Sequence, residues 1–409
     1  MPVGIEAISS YAGCAYVDIE ELFVHRGLNV ARMQNLMMSR KSIQLPFEDA
    51  ITNGVNAAWP ILEQLSPTER SSINLVIAAT ESGVDFGKSI SSYIHAALEL
   101  SSECRYFEVK QACYGGTAGL QMAINAIAAD PSPTSKALVI ATDAARPQEK
   151  ASYAEPTQGT GAVALLVSRS PKVMTFDCGA SGYCSYEVMD AFRPTAEIET
   201  GDPDLSLMSY MDCLTRSFSS YGRKVPDCDY RRSFDSLVFH TPYAGMVAAC
   251  HRTLMRALYR CEMNTIADDF GRRVRPSVEY AIQVGNTYSA SLYMALLSLL
   301  ENSPTSGPHR VGMFSYGSGC SSEFFSGTLT IPDRDSSRPR LGALIESRHK
   351  FSMQQYDEVL KDCRGLRFGS ENVDVPDKGY IDMFRSGTPR PRRLRLASVR
   401  NFHRKYTWD

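Results

Sequence analysis

Residues 107–142 read FEVKQACYGGTAGLQMAINAIAADPSPTSKALVIAT. The opening residues suit an extended run that ends at Cys113, and Gly115 and Gly116 follow almost at once. Thr117–Ala129 consists of strong helix formers with an apolar stripe at helical spacing. Ala137–Thr142 is then a compact apolar run between Lys136 and Asp143, the pattern of a buried strand. Ile73–Thr80 upstream and Ala162–Val167 downstream repeat that pattern. Strand, helix and strand in this order predict an α/β layered domain with mostly buried sheets.

Similar punctuation returns later in the chain. Leu237–Phe239 and Tyr280–Val284 read as short strands, and the second runs into a helical pattern from residue 285 to 300. Val311–Tyr316 and Phe325–Ile331 are further strand candidates. The repetition predicts a duplicated architecture with halves at residues 1–170 and 171–409. Residues 333–340 read as a linker or surface loop, and the basic stretch Thr388–Arg395 as a solvated tail.

Composition narrows the class. The 409 residues are 44% apolar and 22% charged, ordinary for a globular enzyme. Lys and Arg number 43 against 45 Asp and Glu, a balance that argues against a nucleic-acid coat protein. The N-terminus predicts no secretory leader, and Ser289–Leu300 is too short and too polar to span a bilayer. Eleven scattered Cys without a CxxC pair suit reduced thiols in the cytoplasm better than a disulfide framework or a metal site.

Several residues could carry chemistry. Cys113 stands at a predicted helix start, where the positive end of the dipole favours a thiolate. Flanking glycines let backbone N–H groups approach an acyl oxygen. The same pattern also suits a buried structural cysteine. Glu81 ends a buried strand beside small residues, where desolvation would raise its proton affinity toward that of a general base; a loop or capping role fits as well. His240 follows a strand-like run in FHTPY, and Pro242 restricts the exit of the chain. His251 is the weaker histidine, since its spacing suits a helix surface. Asn286, Gly317 and Ser318 lie in Gly-flanked turns that could donate hydrogen bonds to an acyl oxygen.

Taken in order, TESGVD (80–85), QACYGG (111–116), FHTPYAGM (239–246), GNTYSAS (285–291) and SYGSG (315–319) resemble the 3-hydroxy-3-methylglutaryl-CoA synthases. EPTQGTGAVA (155–164), Arg193-Pro194 and HRKY (403–406) agree with them. The resemblance implies the thiolase fold, a duplicated five-layer αβαβα core, and a homodimer. Its first half would carry Glu81 and Cys113, and its second half His240, Asn286 and Ser318. It further implies Cys113 as acyl-carrying nucleophile, Glu81 as general acid/base and His240 as the acceptor-site histidine that steadies and protonates the alkoxide. Asn286, Ser318 and Gly317 map to oxyanion and substrate-positioning places.

Two departures refine this expectation. Gly245 stands where the primary-metabolism enzymes have the Lys of an HxPxxK motif, and Arg146-Pro147 replaces an Arg-Tyr pair. Gly-Met in place of the Lys resembles the β-branching synthases of polyketide pathways. These imply a donor acetyl-acyl carrier protein and an acceptor β-ketoacyl-acyl carrier protein, both substrates held on phosphopantetheine, and no bound cofactor, metal or membrane. Carrier proteins are acidic, so docking calls for a local basic patch. Arg252, Arg256 and Arg260, at spacings of four, would share one helix face; Arg32 is a further candidate by resemblance. Three other readings stay open: primary-metabolism synthesis from acetyl-CoA and acetoacetyl-CoA, decarboxylative β-ketoacyl synthesis, and a non-catalytic docking homologue.

Overall fold

Alternation of side chains along nine strands decides how the layers stack. The computed structural model describes residues 2–145, 154–195, 198–332, 341–366, 368–386 and 392–409. The strands are β1 (Gly4–Tyr11), β2 (Ile73–Ala79), β3 (Arg105–Val109), β4 (Lys136–Ala144), β5 (Thr160–Ser168), β6 (Met174–Ser185), β7 (Ser236–Phe239), β8 (Gly307–Gly317) and β9 (Ser321–Ile331). They join in the order β7-β8-β9-β6-β1-β5-β4-β2-β3. The seam is narrow: β1 meets β6 only at Gly4 with Thr175 and Ile5 with Met174. The main helices are α1 (Ala50–Leu62), α2 (Gly115–Ala129), α3 (Pro203–Lys224), α4 (Ala244–Tyr259) and α5 (Ser291–Asn302).

Successive strand residues point to opposite faces. Val76 and Ala78 of β2, Leu138 and Ile140 of β4, and Ala164 and Leu166 of β5 pack in one core with α1. Their neighbours Ile77, Val139 and Leu165 face a second core. That core also holds Leu120 and Ile124 of α2, Leu292 and Leu296 of α5, and Val311 and Met313 of β8. Phe314 and Tyr316 of β8 turn the other way, into a third core with Tyr210 and Tyr221 of α3 and Val247 of α4. Helix, sheet, helix pair, sheet and helix therefore alternate, with α2 and α5 at the centre. A short C-terminal hairpin, Leu394–Arg400 with His403–Trp408, is tied back to α1: Arg404 and the Tyr406 hydroxyl both bond the helix-capping carboxylate of Asp49.

Most expected elements are present, and two are corrected. Tyr280–Val284 is helical, with helices at Arg275–Val278 and Ala281–Val284. A five-residue apolar run does not distinguish a strand from a buried helix. Here Tyr280, Ala281 and Val284 are buried while Ile282 and Gln283 are partly exposed, a helical rhythm. The basic stretch is no solvated tail where it is described: Leu394 opens a strand, Arg393 is buried, and Arg392 stacks over Trp59 and Trp408. The proposed loop at 333–340, and Arg146 and Pro147, lie outside the described residues.

Leu165 sits in the central core with no exposed surface. Leu165→Ala should lower unfolding free energy by about 2–5 kcal/mol, the usual cost of emptying a buried leucine site. Chemical denaturation measures it, and a loss under about 1 kcal/mol would mean that this layer is loosely packed.

Candidate active site

The loop between β3 and α2 carries Cys113. Ala112 adopts φ +44°, a strained backbone for a residue with a side chain. Tyr114 then caps α2. β8 ends directly against this loop: a Cβ on Gly317 would lie 2.4 Å from the Tyr114 amide nitrogen and 2.8 Å from the Gln111 carbonyl oxygen. Only glycine permits that approach, and it brings the partly exposed Ser318 next to the cysteine loop.

Glu81 comes from the chain just beyond β2, and the Cys113 thiol donates to its Oε1 at 2.8 Å. The backbone of this segment is held by Asp143 at the end of β4. Its Oδ1 accepts from the Thr80 hydroxyl at 3.0 Å, the Glu81 amide at 2.7 Å and the Ser82 hydroxyl at 3.0 Å. Its Oδ2 accepts from the Ser289 amide at 3.1 Å and hydroxyl at 2.6 Å. Arg193 donates to the Glu81 carbonyl oxygen at 3.1 Å and to Glu199 at 2.6 Å, and lies over the Tyr288 ring.

These surroundings set the proton affinities. Burial pushes the Glu81 carboxyl up to about 7; Arg193 and the Cys113 hydrogen bond oppose this, while Asp143 and Glu199 add to it. Burial also drives the Cys113 thiol well above its ordinary value, helped by Glu81, Asp143 and Glu199. The expected stabilised thiolate is therefore overturned: at rest Cys113 is a thiol. A helix N-terminus contributes at most about 2 kcal/mol, less than burial beside three carboxylates demands.

His240 follows β7. Its amide donates to the Phe314 carbonyl oxygen at 2.8 Å, and its own carbonyl accepts from the Tyr210 hydroxyl at 2.7 Å. Burial lowers its imidazole to about 3, so the ring is neutral. Its buried Nδ1 has no hydrogen-bond partner among the described residues. Asn286 is oriented by its side-chain oxygen, which accepts from the Tyr288 amide at 2.9 Å and the Ser291 hydroxyl at 2.7 Å.

Glu81 lines a cavity of about 820 Å³. Arg32, Asn35, Asp190, Arg193 and Glu199 supply polar wall; Phe23, Val84, Tyr243, Met246 and Phe368 supply apolar wall. Gly245, at the start of α4, lies under the turn of Val30–Leu36, where a Cβ would sit 1.7 Å from the Asn35 carbonyl oxygen. No side chain fits there.

The docking arginines separate. Arg32 is at the cavity wall. Arg252 and Arg256 are exposed on α4, about 12 Å or more along it from its cavity end at 1.5 Å per residue. Arg260 does not continue their face: it ends the helix with φ +53°. His251, expected on a helix surface, is wholly buried, with the Tyr230 hydroxyl at 3.0 Å and Asp269 at 3.1 Å. Asp143, Ser289 and Glu199 were missed as site residues; Asp143 stood beside the quoted strand, an acidic residue ending an otherwise apolar run.

Residues 1–172 match the family model Hydroxymethylglutaryl-coenzyme A synthase N terminal, and residues 251–406 match Hydroxymethylglutaryl-coenzyme A synthase C terminal. The chain belongs to the hydroxymethylglutaryl-CoA synthase family. This synthase is 46% identical to the polyketide biosynthesis 3-hydroxy-3-methylglutaryl-ACP synthase PksG of Bacillus subtilis, over 99% of each chain. It is 31% identical to the hydroxymethylglutaryl-CoA synthase of Enterococcus faecalis, over 88% of this chain and 92% of that one. The HMG synthase of the curacin biosynthetic pathway superposes with a TM-score of 0.95 at 46% identity, each chain fully covered. That curacin enzyme has also been solved with its acetyl donor carrier protein; this chain matches it with a TM-score of 0.94 at 45% identity, again with full coverage. The synthase is thus an acyltransferase with the thiolase fold. Among the described residues no group of three or more His, Cys, Asp or Glu is arranged to hold a metal, and no helix is long and apolar enough to cross a membrane.

The raised Glu81 carboxyl has a cost in stability. The folded protein binds its proton more tightly than an unfolded chain, whose carboxyl titrates near 4.5. Stability from that proton is full below about pH 4.5 and is lost as pH rises through about 7. Glu81→Gln carries no such titration. Relative to the variant, the native protein should lose about 1–3 kcal/mol between pH 5 and pH 8. Urea unfolding at both pH values measures this, and equal changes in the two proteins would refute the assignment.

Proposed function

We propose that this synthase introduces a β-branch into a polyketide carried on acyl carrier proteins. One observation carries the reading most directly: the Cys113 thiol donates at 2.8 Å to a carboxylate whose affinity for protons is matched to neutral pH. A decarboxylative condensation needs no such base. Removing a proton from an acetyl group does.

In the proposed sequence, the Cys113 proton passes to Glu81 as sulfur attacks the acetyl thioester of the donor carrier. The carrier leaves as its thiol, and Cys113 holds the acetyl group. Glu81, deprotonated again, takes a proton from the acetyl Cα. A carbon–carbon bond forms from that carbon to the β-ketone carbon of the acceptor, and the ketone oxygen becomes an alkoxide. Neutral His240 hydrogen-bonds this oxygen and delivers its N–H proton, and the ring recovers a proton from the water that attacks in the next step. Water then hydrolyses the Cys113 thioester, restoring the thiol and leaving a carboxymethyl branch beside a tertiary hydroxyl. Asn286 and the Gly317–Ser318 turn position the acyl oxygens. Every step is redox-neutral, and we assign no resident cofactor to it.

Carrier-linked rather than CoA-linked substrates are supported by the polyketide relatives and by Gly245, where a side chain would strike Asn35. We also propose a homodimer located in the cytoplasm, where cysteine thiols stay reduced.

Intact-protein mass spectrometry tests the reaction. With acetyl-carrier protein, the native enzyme should gain one acetyl group at Cys113. On adding β-ketoacyl-carrier protein, the acceptor should gain the elements of acetic acid, with no CO₂ released. Glu81→Gln should be acetylated more slowly and, once acetylated, lose condensation by roughly 10²–10⁴-fold. CO₂ release, or an unlabelled Cys113, would overturn the proposal.

Docking has its own test. Arg252→Glu with Arg256→Glu should raise the apparent KM for acetyl-carrier protein, most at low salt, because charge steering is screened by ions. Turnover of a free acetyl-pantetheine should not change. Equal damage to both substrates would mean that these arginines support the fold.

A further inference from the structure

Residues two apart on a strand point the same way, and at the start of β9 both Ser321 and Glu323 reach the cysteine loop. Gln111 donates through Nε2 to the Ser321 hydroxyl at 3.2 Å, and the Tyr114 hydroxyl donates to Glu323 Oε2 at 2.8 Å. The two contacts bracket Cys113 in sequence. The other oxygen of Glu323 accepts from Gln121 Nε2, one turn into α2 and beyond, at 2.8 Å. Glu323 has no exposed surface, and Ser181 hydrogen-bonds its carboxylate as well, so its lone pairs are met inside the protein. The loop it grips needs such a hold. Ala112 is in a left-handed conformation, and Tyr114 begins α2 with no side-chain cap.

We propose that Glu323 is a positioning residue for the nucleophile: by anchoring the Tyr114 hydroxyl it fixes the loop that aims the Cys113 sulfur at Glu81 and at the incoming thioester. Glu323 touches no reacting atom and acts through Tyr114. The proposal rests on Cys113 as the acetyl-carrying residue.

Single-turnover acetylation of Cys113 by the small thioester S-acetyl-N-acetylcysteamine tests it, with alkylation of Cys113 by iodoacetamide followed across pH 5–9 in parallel. Glu323→Ala should lower the maximal acetylation rate by roughly 10–100-fold at an unchanged half-saturating concentration, the scale of loss from a misplaced reactant. Glu323→Gln, which keeps an acceptor for Tyr114, should restore the rate to within about threefold, since hydrogen-bond geometry rather than charge is what it supplies. Tyr114→Phe should match Glu323→Ala, and the double variant should be no slower than either, because both remove one link. The alkylation profile of the native enzyme should carry the Glu81 inflection near pH 7, and Glu323→Ala should lose it. Acetylation at the native rate in Tyr114→Phe, or losses that multiply in the double variant, overturns the proposal. Tyr114→Phe removes a single oxygen and decides the matter even where Glu323→Ala fails to fold. If the native enzyme takes no acetyl group, the functional reading fails; the alkylation profiles then still uphold or overturn the positioning role.

Discussion

Five hydrogen bonds converge on the buried carboxylate of Asp143, from Thr80, Glu81, Ser82 and twice from Ser289. A carboxylate removed from water is costly unless its lone pairs are met, and here they are met from two segments distant in sequence. The bond to the Glu81 amide fixes its backbone while leaving its side chain to reach Cys113. The bonds to Ser289 bind the turn before α5 to the end of β4. Asn286, Tyr288 and Ser291 belong to the same turn, so Asn286 and Glu81 share one anchor.

The same carboxylate shapes the chemistry through its charge. Asp143 and Glu199 raise the proton affinity of Glu81, and all three oppose ionisation of Cys113. Arg193 compensates in part, and it is held against Glu199 and Tyr288. Cys113 is therefore held as a thiol beside a Glu81 carboxyl that is part-ionised at neutral pH. His240, stripped of solvent, is likewise stored uncharged.

Close backbone approach is the other constraint. Gly317 lets β8 touch the cysteine loop, and Gly245 lets the Val30–Leu36 turn rest on the start of α4. The first contact joins residues from two distant parts of the chain into one site. The second closes part of the cavity wall with backbone where another residue would have placed a side chain. The turn so seated carries Arg32 and Asn35 to the cavity.

Much of this was legible from the chain alone. Compact apolar runs bounded by polar residues, with one helical stripe between them, determine the α/β layering, because burial on both faces of a strand leaves no other pattern. Cys113 before two glycines, Glu81 past a strand end and His240 before a proline-held exit were readable as chemistry because each sits where secondary structure ends. Tertiary structure alone decided the rest. A five-residue apolar run at Tyr280–Val284 turns helical only because of what packs against it. Cys113 is a thiol because Asp143 and Glu199, 30 and 86 residues away, bring negative charge that no local pattern announces. His251 is buried because α4 turns it toward Tyr230 and Asp269 rather than to water. Local sequence dictates which backbone forms; proton affinity and burial depend on which distant groups share a space, and only the folded chain brings them together.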